Sequence, residues 1–265
     1  MSKGLTFKKF TDDIPNEDSF KSLDDFIAVS DGAGGCGLFA NKWSKYLIDH
    51  IDETEPIGNF KNLDSWIDSI WQPFYNEHEL LAKEQDGIFQ DKFYKEGSCA
   101  TIAAAWKTSV IEVKWATYGD SVVFHYNRAT DFMETSFSHL DDFAKSPCLI
   151  SCKDPLTENG FKAGKFVIGP DSLVFAASDS ISHYMILMYM ASHPDWEKET
   201  RERIFKSQSN DATMLAIADS IKKPFSELIE QLVELLDSQE DFEFFARQQN
   251  AQGLLDIDDY TLVMM

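Results

Sequence analysis

The sequence is short of cysteine, of cations and of long apolar runs, and each shortage excludes something. Four cysteines in 265 residues, Cys36, Cys99, Cys148 and Cys152, are too few for a disulfide scaffold. Cys148 and Cys152 lie close together, but no second pair stands nearby to complete a zinc site. Reduced thiols in a cytoplasmic protein are therefore the expectation. The longest apolar run, 184–191, falls far short of the roughly 20 residues needed to span a membrane. The first ten residues carry lysines but no apolar signal core, so secretion is not expected. With 24 Lys+Arg against 45 Asp+Glu, the formal net charge is −21. A nucleic-acid binder needs a basic surface to displace counterions, and an anionic membrane attracts basic segments, so neither is an expected partner. No repeat period and no Pro-rich or Gly/Ser-rich linker breaks the chain, which reads as one domain over residues 1–265.

Hydrophobic residues make up 43% of the chain and aromatics 13%, enough to rule out intrinsic disorder and to fill a sizeable core. Apolar or alternating runs at 26–29, 98–106, 110–115, 122–126, 173–177 and 262–264 predict strands, several of them ended by Gly or Asp-Gly turn signals. Between them lie stripes at helical spacing: Phe39, Trp43, Tyr46 and Leu47; then Leu63, Trp66, Ile67, Ile70, Trp71 and Phe74; then Phe225, Leu228, Ile229, Leu232, Val233 and Leu236. A meander of strands with helices between distant blocks predicts an α+β fold of antiparallel sheets covered by helices. Residues 225–260 hold ten Asp/Glu against the single base Arg247, read either as a solvated face or as a surface that selects basic partners.

Some acids stand at strand ends instead. Asp31 closes the run 26–30 and precedes Gly32-Ala33-Gly34-Gly35, Asp179 closes 173–178, and Asp259 opens the last strand. Asp120 sits in the turn Gly119-Asp120-Ser121, and Glu17-Asp18 precedes the first long strand. Taken singly, each is a turn former or cap. Taken together, a set of carboxylates at strand ends could hold hard divalent cations such as Mg²⁺ or Mn²⁺, which prefer oxygen ligands.

The set also carries a resemblance. Asn16-Glu17-Asp18-Ser19-Phe20, Val29-Ser30-Asp31-Gly32-Ala33-Gly34-Gly35, Gly97-Ser98-Cys99-Ala100, Tyr118-Gly119-Asp120-Ser121, Ala177-Ser178-Asp179 and Asp258-Asp259-Tyr260-Thr261 follow one another in the order of the motifs of the metal-dependent protein phosphatases. The chain thus resembles the PPM (protein phosphatase 2C-like) family. The resemblance implies a four-layer α-β-β-α sandwich, two antiparallel sheets flanked by helices. It implies hydrolysis of phosphoserine and phosphothreonine in a phosphoprotein substrate; the oligomeric state is not fixed by the sequence, and a monomer is favoured. It also implies two Mg²⁺ or Mn²⁺ ions. Asp31 would bridge them, Asp179 and Asp259 would complete one shell, Glu17 and the Gly32 carbonyl would serve the other, and Asp18 would orient water. A third ion, if held, would involve Asp120 and His183.

The family pattern is broken in four places. Asp13 stands where a phosphate-clamping arginine is common, which leaves Lys8 and Lys9 as the nearest cations for phosphate. Ala33 replaces a histidine found in many eukaryotic members. Ser180 follows Asp179 where glycine is usual, and His183 stands where a further aspartate is usual. These departures keep two rivals in view: a pseudophosphatase that binds without hydrolysing, and a phosphatase of small phosphoesters. Other motifs fail. The stretch 160–166 is one residue short between its glycines for a phosphate loop, no Gly-x-Ser-x-Gly elbow exists, and His78-Glu79 has no second helical histidine.

Overall fold

The computed structural model describes residues 2–10 and 14–265. In chain order, β1 (Lys3–Phe7), β2 (Ser19–Leu23), β3 (Phe26–Ser30) and β4 (Gly32–Gly37) lead to α1 (Ala40–His50), α2 (Phe60–Lys83) and α3 (Gly87–Glu96). Strands follow: β5 (Ser98–Ala100), β6 (Ile102–Ser109), β7 (Glu112–Tyr118), β8 (Val122–Asn127), β9 (Phe132–Thr135), β10 (Ile150–Ser151) and β11 (Phe161–Val167). Then come β12 (Ser172–Ala177) and the helices α4 (Asp179–Ser192), α5 (Lys198–Ser207), α6 (Asn210–Ile221), α7 (Phe225–Leu235) and α8 (Gln239–Ala251), before β13 (Tyr260–Met264). Among the described residues no helix is long and apolar enough to cross a membrane.

Two five-stranded antiparallel sheets run β1-β13-β12-β8-β9 and β11-β7-β6-β3-β2, with a small third sheet β10-β5-β4 at one end. Side-chain alternation along single strands separates the layers. In β3, Ile27 and Val29 enter the core between the two large sheets, where they meet Ala103, Val123, Val174 and Val263. Phe26 and Ala28 point the other way, into a core with Trp43, Leu63, Ile67 and Phe74 of α1 and α2. On the far sheet, Phe175 and Ala177 pack outward against Ile181, Met185, Leu215 and Leu232. Three cores divide four layers, so the chain is the expected α-β-β-α sandwich.

Local sequence explains where the elements depart from expectation. The run 98–106 is two strands broken at Thr101, whose backbone N–H leaves the ladder to donate to the Asp31 carbonyl at 2.8 Å. The strand expected at 110–115 starts only at Glu112; Val110 and Ile111 form the exposed tip of the β6–β7 hairpin, 83% and 62% exposed. Helix α4 is apolar almost all round, and residues 180–190 are buried throughout, as a central helix between a sheet and an outer helical layer must be.

Candidate active site

Asp31 follows β3 and is held from both sides of its peptide. Its carbonyl accepts from Thr101, and its own N–H donates to Thr101 Oγ1 at 3.3 Å. That hydroxyl lies 2.6 Å from Ser121 Oγ, so the break between β5 and β6 ties Asp31 to the turn that carries Asp120. Gly119 in that turn has φ +102, and a Cβ there would lie 2.7 Å from Thr101 Cγ2, so the turn accepts only glycine without a shift. Asp179 is the first residue of α4, where the helix dipole favours a negative charge. The preceding Ser178 accepts from the Thr261 N–H at 3.0 Å, which fixes the end of β12 against the start of β13.

These placements bring carboxylates together at one end of both sheets. Burial, and then the charges of Asp179, Asp18, Asp120 and Asp258, push the Asp31 carboxyl well above the usual range. Asp179 is raised in the same way, by burial and then by Asp258, Asp120 and Asp18. Burial lifts Asp120 to about 6. Asp18 is lifted to about 7 by burial, with the Thr261 hydroxyl acting against it. That hydroxyl donates to Asp18 Oδ2 at 2.7 Å, while Asp18 Oδ1 is buried with no partner at hydrogen-bond distance among the described residues. Glu17 is raised chiefly by burial, and Lys9, whose Nζ lies 3.7 Å away, relieves part of the cost. A cleft of about 350 Å³ opens onto this ring, lined by Asp120, Phe143, Asp179, His183, Asp211, Asp256 and Asp258 among others.

Oxygen donors crowded by one another's charge suit a hard divalent cation, and the orphaned Asp18 Oδ1 offers a buried acceptor beside them. The acids ring a space and are not drawn into a closed shell: among the described residues no three His, Cys, Asp or Glu side chains yet form a group that could hold an ion.

The whole chain aligns with solved structures of bacterial serine/threonine phosphatases. It aligns over 100% of its length with 97% of the Mycobacterium tuberculosis serine/threonine phosphatase PstP/Ppp, at 14% identity and TM-score 0.54. It covers 96% of the catalytic domain of PstP in complex with two manganese ions, at 15% identity and TM-score 0.51. It covers 93% of the serine/threonine phosphatase Stp1 from Staphylococcus aureus, at 13% identity and TM-score 0.51. The chain has the fold of the PPM-type phosphatases. No protein-family model and no curated protein matches its sequence.

Within this phosphatase fold Asp18, Asp31, Asp120 and Asp179 lie close enough to raise one another's carboxyls, and Asp259 is placed differently. Asp259, expected in an ion's shell, does not line the cleft: its two carboxylate oxygens accept from the backbone N–H of Lys9 at 2.7 Å and of Glu17 at 2.6 Å. The neighbouring Asp258 lines the cleft in its place. Successive residues entering a strand point to opposite sides, so an Asp-Asp pair can offer only one member to the cleft. Gly32 lies against Glu17, donating its N–H to the Glu17 carbonyl at 3.2 Å; a Cβ on it would come within 2.6 Å of that oxygen. His183, expected beside Asp120 at a third ion, lines the same cleft, but its Nε2 lies 3.2 Å from Asp211 Oδ1 and its ring stands edge-on to Phe143. Asp211, in the first turn of α6 behind the Ser209 N-cap, carried no motif that would have singled it out. Of the two lysines expected near phosphate, Lys9 is engaged with Glu17 and Lys8 is its partly buried neighbour. Asp13, in the arginine place, lies outside the described residues.

Proposed function

We propose that this protein is a metal-dependent phosphatase of phosphoserine and phosphothreonine in proteins. The observation that carries the reading is the ring of mutually destabilised carboxylates, Asp31, Asp179, Asp258, Asp120 and Asp18, at one mouth of a phosphatase-type sandwich. Asp31, Asp179 and Asp258 would hold one Mg²⁺ or Mn²⁺ ion. Glu17 and the Gly32 carbonyl would share a second with Asp31, and Asp120 would serve a third. Such ions supply Lewis acidity to water and to the phosphoryl oxygens.

The chain's own residues do the rest. Asp18, with one oxygen fixed by Thr261 and the other unpartnered among the described residues, can accept a proton at Oδ1. Thr101 holds Asp31 by both ends of its peptide, so its carboxylate need not reorganise when a substrate arrives. Lys9 offsets Glu17 and keeps the charge of that corner tolerable until a cation enters. The four thiols are free, in keeping with a cytoplasmic, reducing compartment.

One observation favours the pseudophosphatase reading instead: an ammonium group already sits beside Glu17, where a second ion would be served. Hydrolysis of a phosphothreonine peptide with Mn²⁺, and none in EDTA, supports the catalytic reading. Binding of that peptide without turnover in saturating Mn²⁺ supports the other.

A further inference from the structure

Outside the acid cleft two thiols meet. Cys36 lies near the end of β4 and Cys99 in the middle of β5, and the Cys36 thiol donates to Cys99 Sγ across 3.2 Å. The S–S bond of a disulfide is about 2.0 Å, so the pair would have to close by roughly 1 Å. The backbone leaves room for that movement. β4 and β5 pair at Gly32 with Ala100 and at Gly37 with Ser98, and the register shifts between those points. Gly34 and Gly35 in the intervening bulge are exposed. Cys36 is partly exposed, whereas Cys99 is only 4% exposed and burial pushes its thiol up. Cys36 is thus the sulfur that a small oxidant reaches first. The other two cysteines are engaged elsewhere: Cys152 Sγ accepts from the Ser98 N–H, and Cys148 from the Thr157 hydroxyl.

We propose that Cys36 and Cys99 are a peroxide-responsive dithiol, closing reversibly to an intramolecular disulfide that fixes the glycine bulge of β4 beside Glu17. The Cys36 thiolate attacks hydrogen peroxide, an S–O bond forms as the O–O bond breaks, and hydroxide leaves as water once protonated. Cys99 then attacks the Cys36 sulfenic sulfur; the S–S bond forms, the S–O bond breaks, and the thiol proton departs with the hydroxide as a second water. Two thiols are oxidised by two electrons, and one peroxide is reduced to two waters.

The consequence for the acid site runs through Gly34. A Cβ on that residue would lie 2.3 Å from both Glu17 carboxylate oxygens, so the Glu17 carboxylate rests directly on the bulge that the disulfide would fix. This consequence rests on the phosphatase reading; the disulfide chemistry does not.

The test uses the full chain, reduced, desalted and exposed to hydrogen peroxide. Intact mass should fall by two hydrogens with no added oxygen, and free thiols should drop from four to two. Digestion should yield a Cys36–Cys99 crosslinked peptide that dithiothreitol cleaves. In Cys99→Ser the crosslink should be lost, and a dimedone adduct should appear on Cys36. A stable sulfinic acid on Cys36 in the wild type, a crosslinked dimer, or a Cys148–Cys152 peptide instead would overturn the proposal. For coupling to the site, Mn²⁺-dependent hydrolysis of a phosphopeptide should fall several-fold on crosslinking and recover with dithiothreitol, while Cys36→Ser keeps its basal rate and ignores peroxide. An unchanged rate in crosslinked protein would refute the coupling. If the reduced protein hydrolyses nothing, the phosphatase reading fails and the mass measurement still decides the disulfide.

Discussion

Asp258 and Asp259 are chemically identical neighbours with opposite tasks, and they separate cleanly by experiment. Asp258→Asn should remove most of the rise in melting temperature that millimolar Mn²⁺ gives the wild type, because a cleft carboxylate is lost. Asp259→Asn should keep that rise but melt lower without metal. A neutral amide offers one carbonyl oxygen where two backbone donors need acceptors, a loss of about 1–3 kcal/mol. Thermal melts of both variants with EDTA or Mn²⁺ check the pair; equal loss of the Mn²⁺ response in both would sink the assignment. The acids also set a pH dependence. Asp18, at about 7, and Asp120, at about 6, titrate above the unfolded range, so the folded state binds more protons than the unfolded one. Their contribution to metal-free stability is fully present below about pH 4 and is lost as pH rises through 6 to 7. Mn²⁺ competes with those protons, so the gap between melts in Mn²⁺ and in EDTA should widen from pH 5 to pH 8. A constant gap would show that these carboxyls do not face the ion. Asp31, Asp120 and Asp179 were legible from sequence because each stands where an apolar run stops at a turn or helix start. The choice between Asp258 and Asp259 was not, since it depends on the strand's phase, and Asp211 reaches His183 only through the packing of α6 on α4.

At the scale of elements, the site is built from breaks in regular structure. β5 and β6 are one run interrupted at Thr101, and the interruption frees its N–H for Asp31. The β7–β8 connection is tight because Gly119 takes a positive φ under the Thr101 methyl. Gly119→Ala meets both a strained φ and a 2.7 Å contact, and should cost about 1–3 kcal/mol. It should also lower hydrolysis more than Asp258-independent stability loss explains, because Asp120 and the Ser121–Thr101 bridge move with it. Chemical denaturation beside kinetics at a temperature well below melting checks both; wild-type stability would mean that the turn relaxes freely. The apolar periodicity that predicts β3, β12 and α7 is strong because each of these elements buries one or both faces. Thr101 breaks no such pattern, so the kink that positions Asp31 cannot be read from hydrophobicity.

Across the whole molecule, the acidic stretch 225–260 divides by position. Glu230 pairs with Arg128, Glu243 with Arg247 and Asp237 with Lys3, all partly exposed pairs that contribute little to stability. Asp256 and Asp258, at the end of the same stretch, line the cleft. The solvated-face reading therefore fits the paired residues, and a partner-selecting role would belong to the cleft acids. With a net charge of −21 over the whole chain and an acidic cleft mouth, phosphopeptides flanked by Lys or Arg should be turned over in preference to acidic ones. Salt should erode the preference, through a lower association rate, over the range where the Debye length shrinks below about 10 Å. Equal kcat/KM for basic and acidic peptides at low salt would assign the whole block to solvation.

The outermost strand pair has a consequence in time. β13 lies between β1 and β12, and Lys3 pairs with Met264 across the sheet. Asp18 takes its one fixed hydrogen bond from Thr261, and Lys9 and Glu17 are anchored by Asp259. On the ribosome, Glu17 and Asp18 must wait for partners made 242 and 243 residues later. A nascent chain can fold its α1–α3 layer and much of one sheet, yet its carboxylates cannot gather until residues 258–264 have emerged. Residues 258–264 thus act as the latch on this ring of acids.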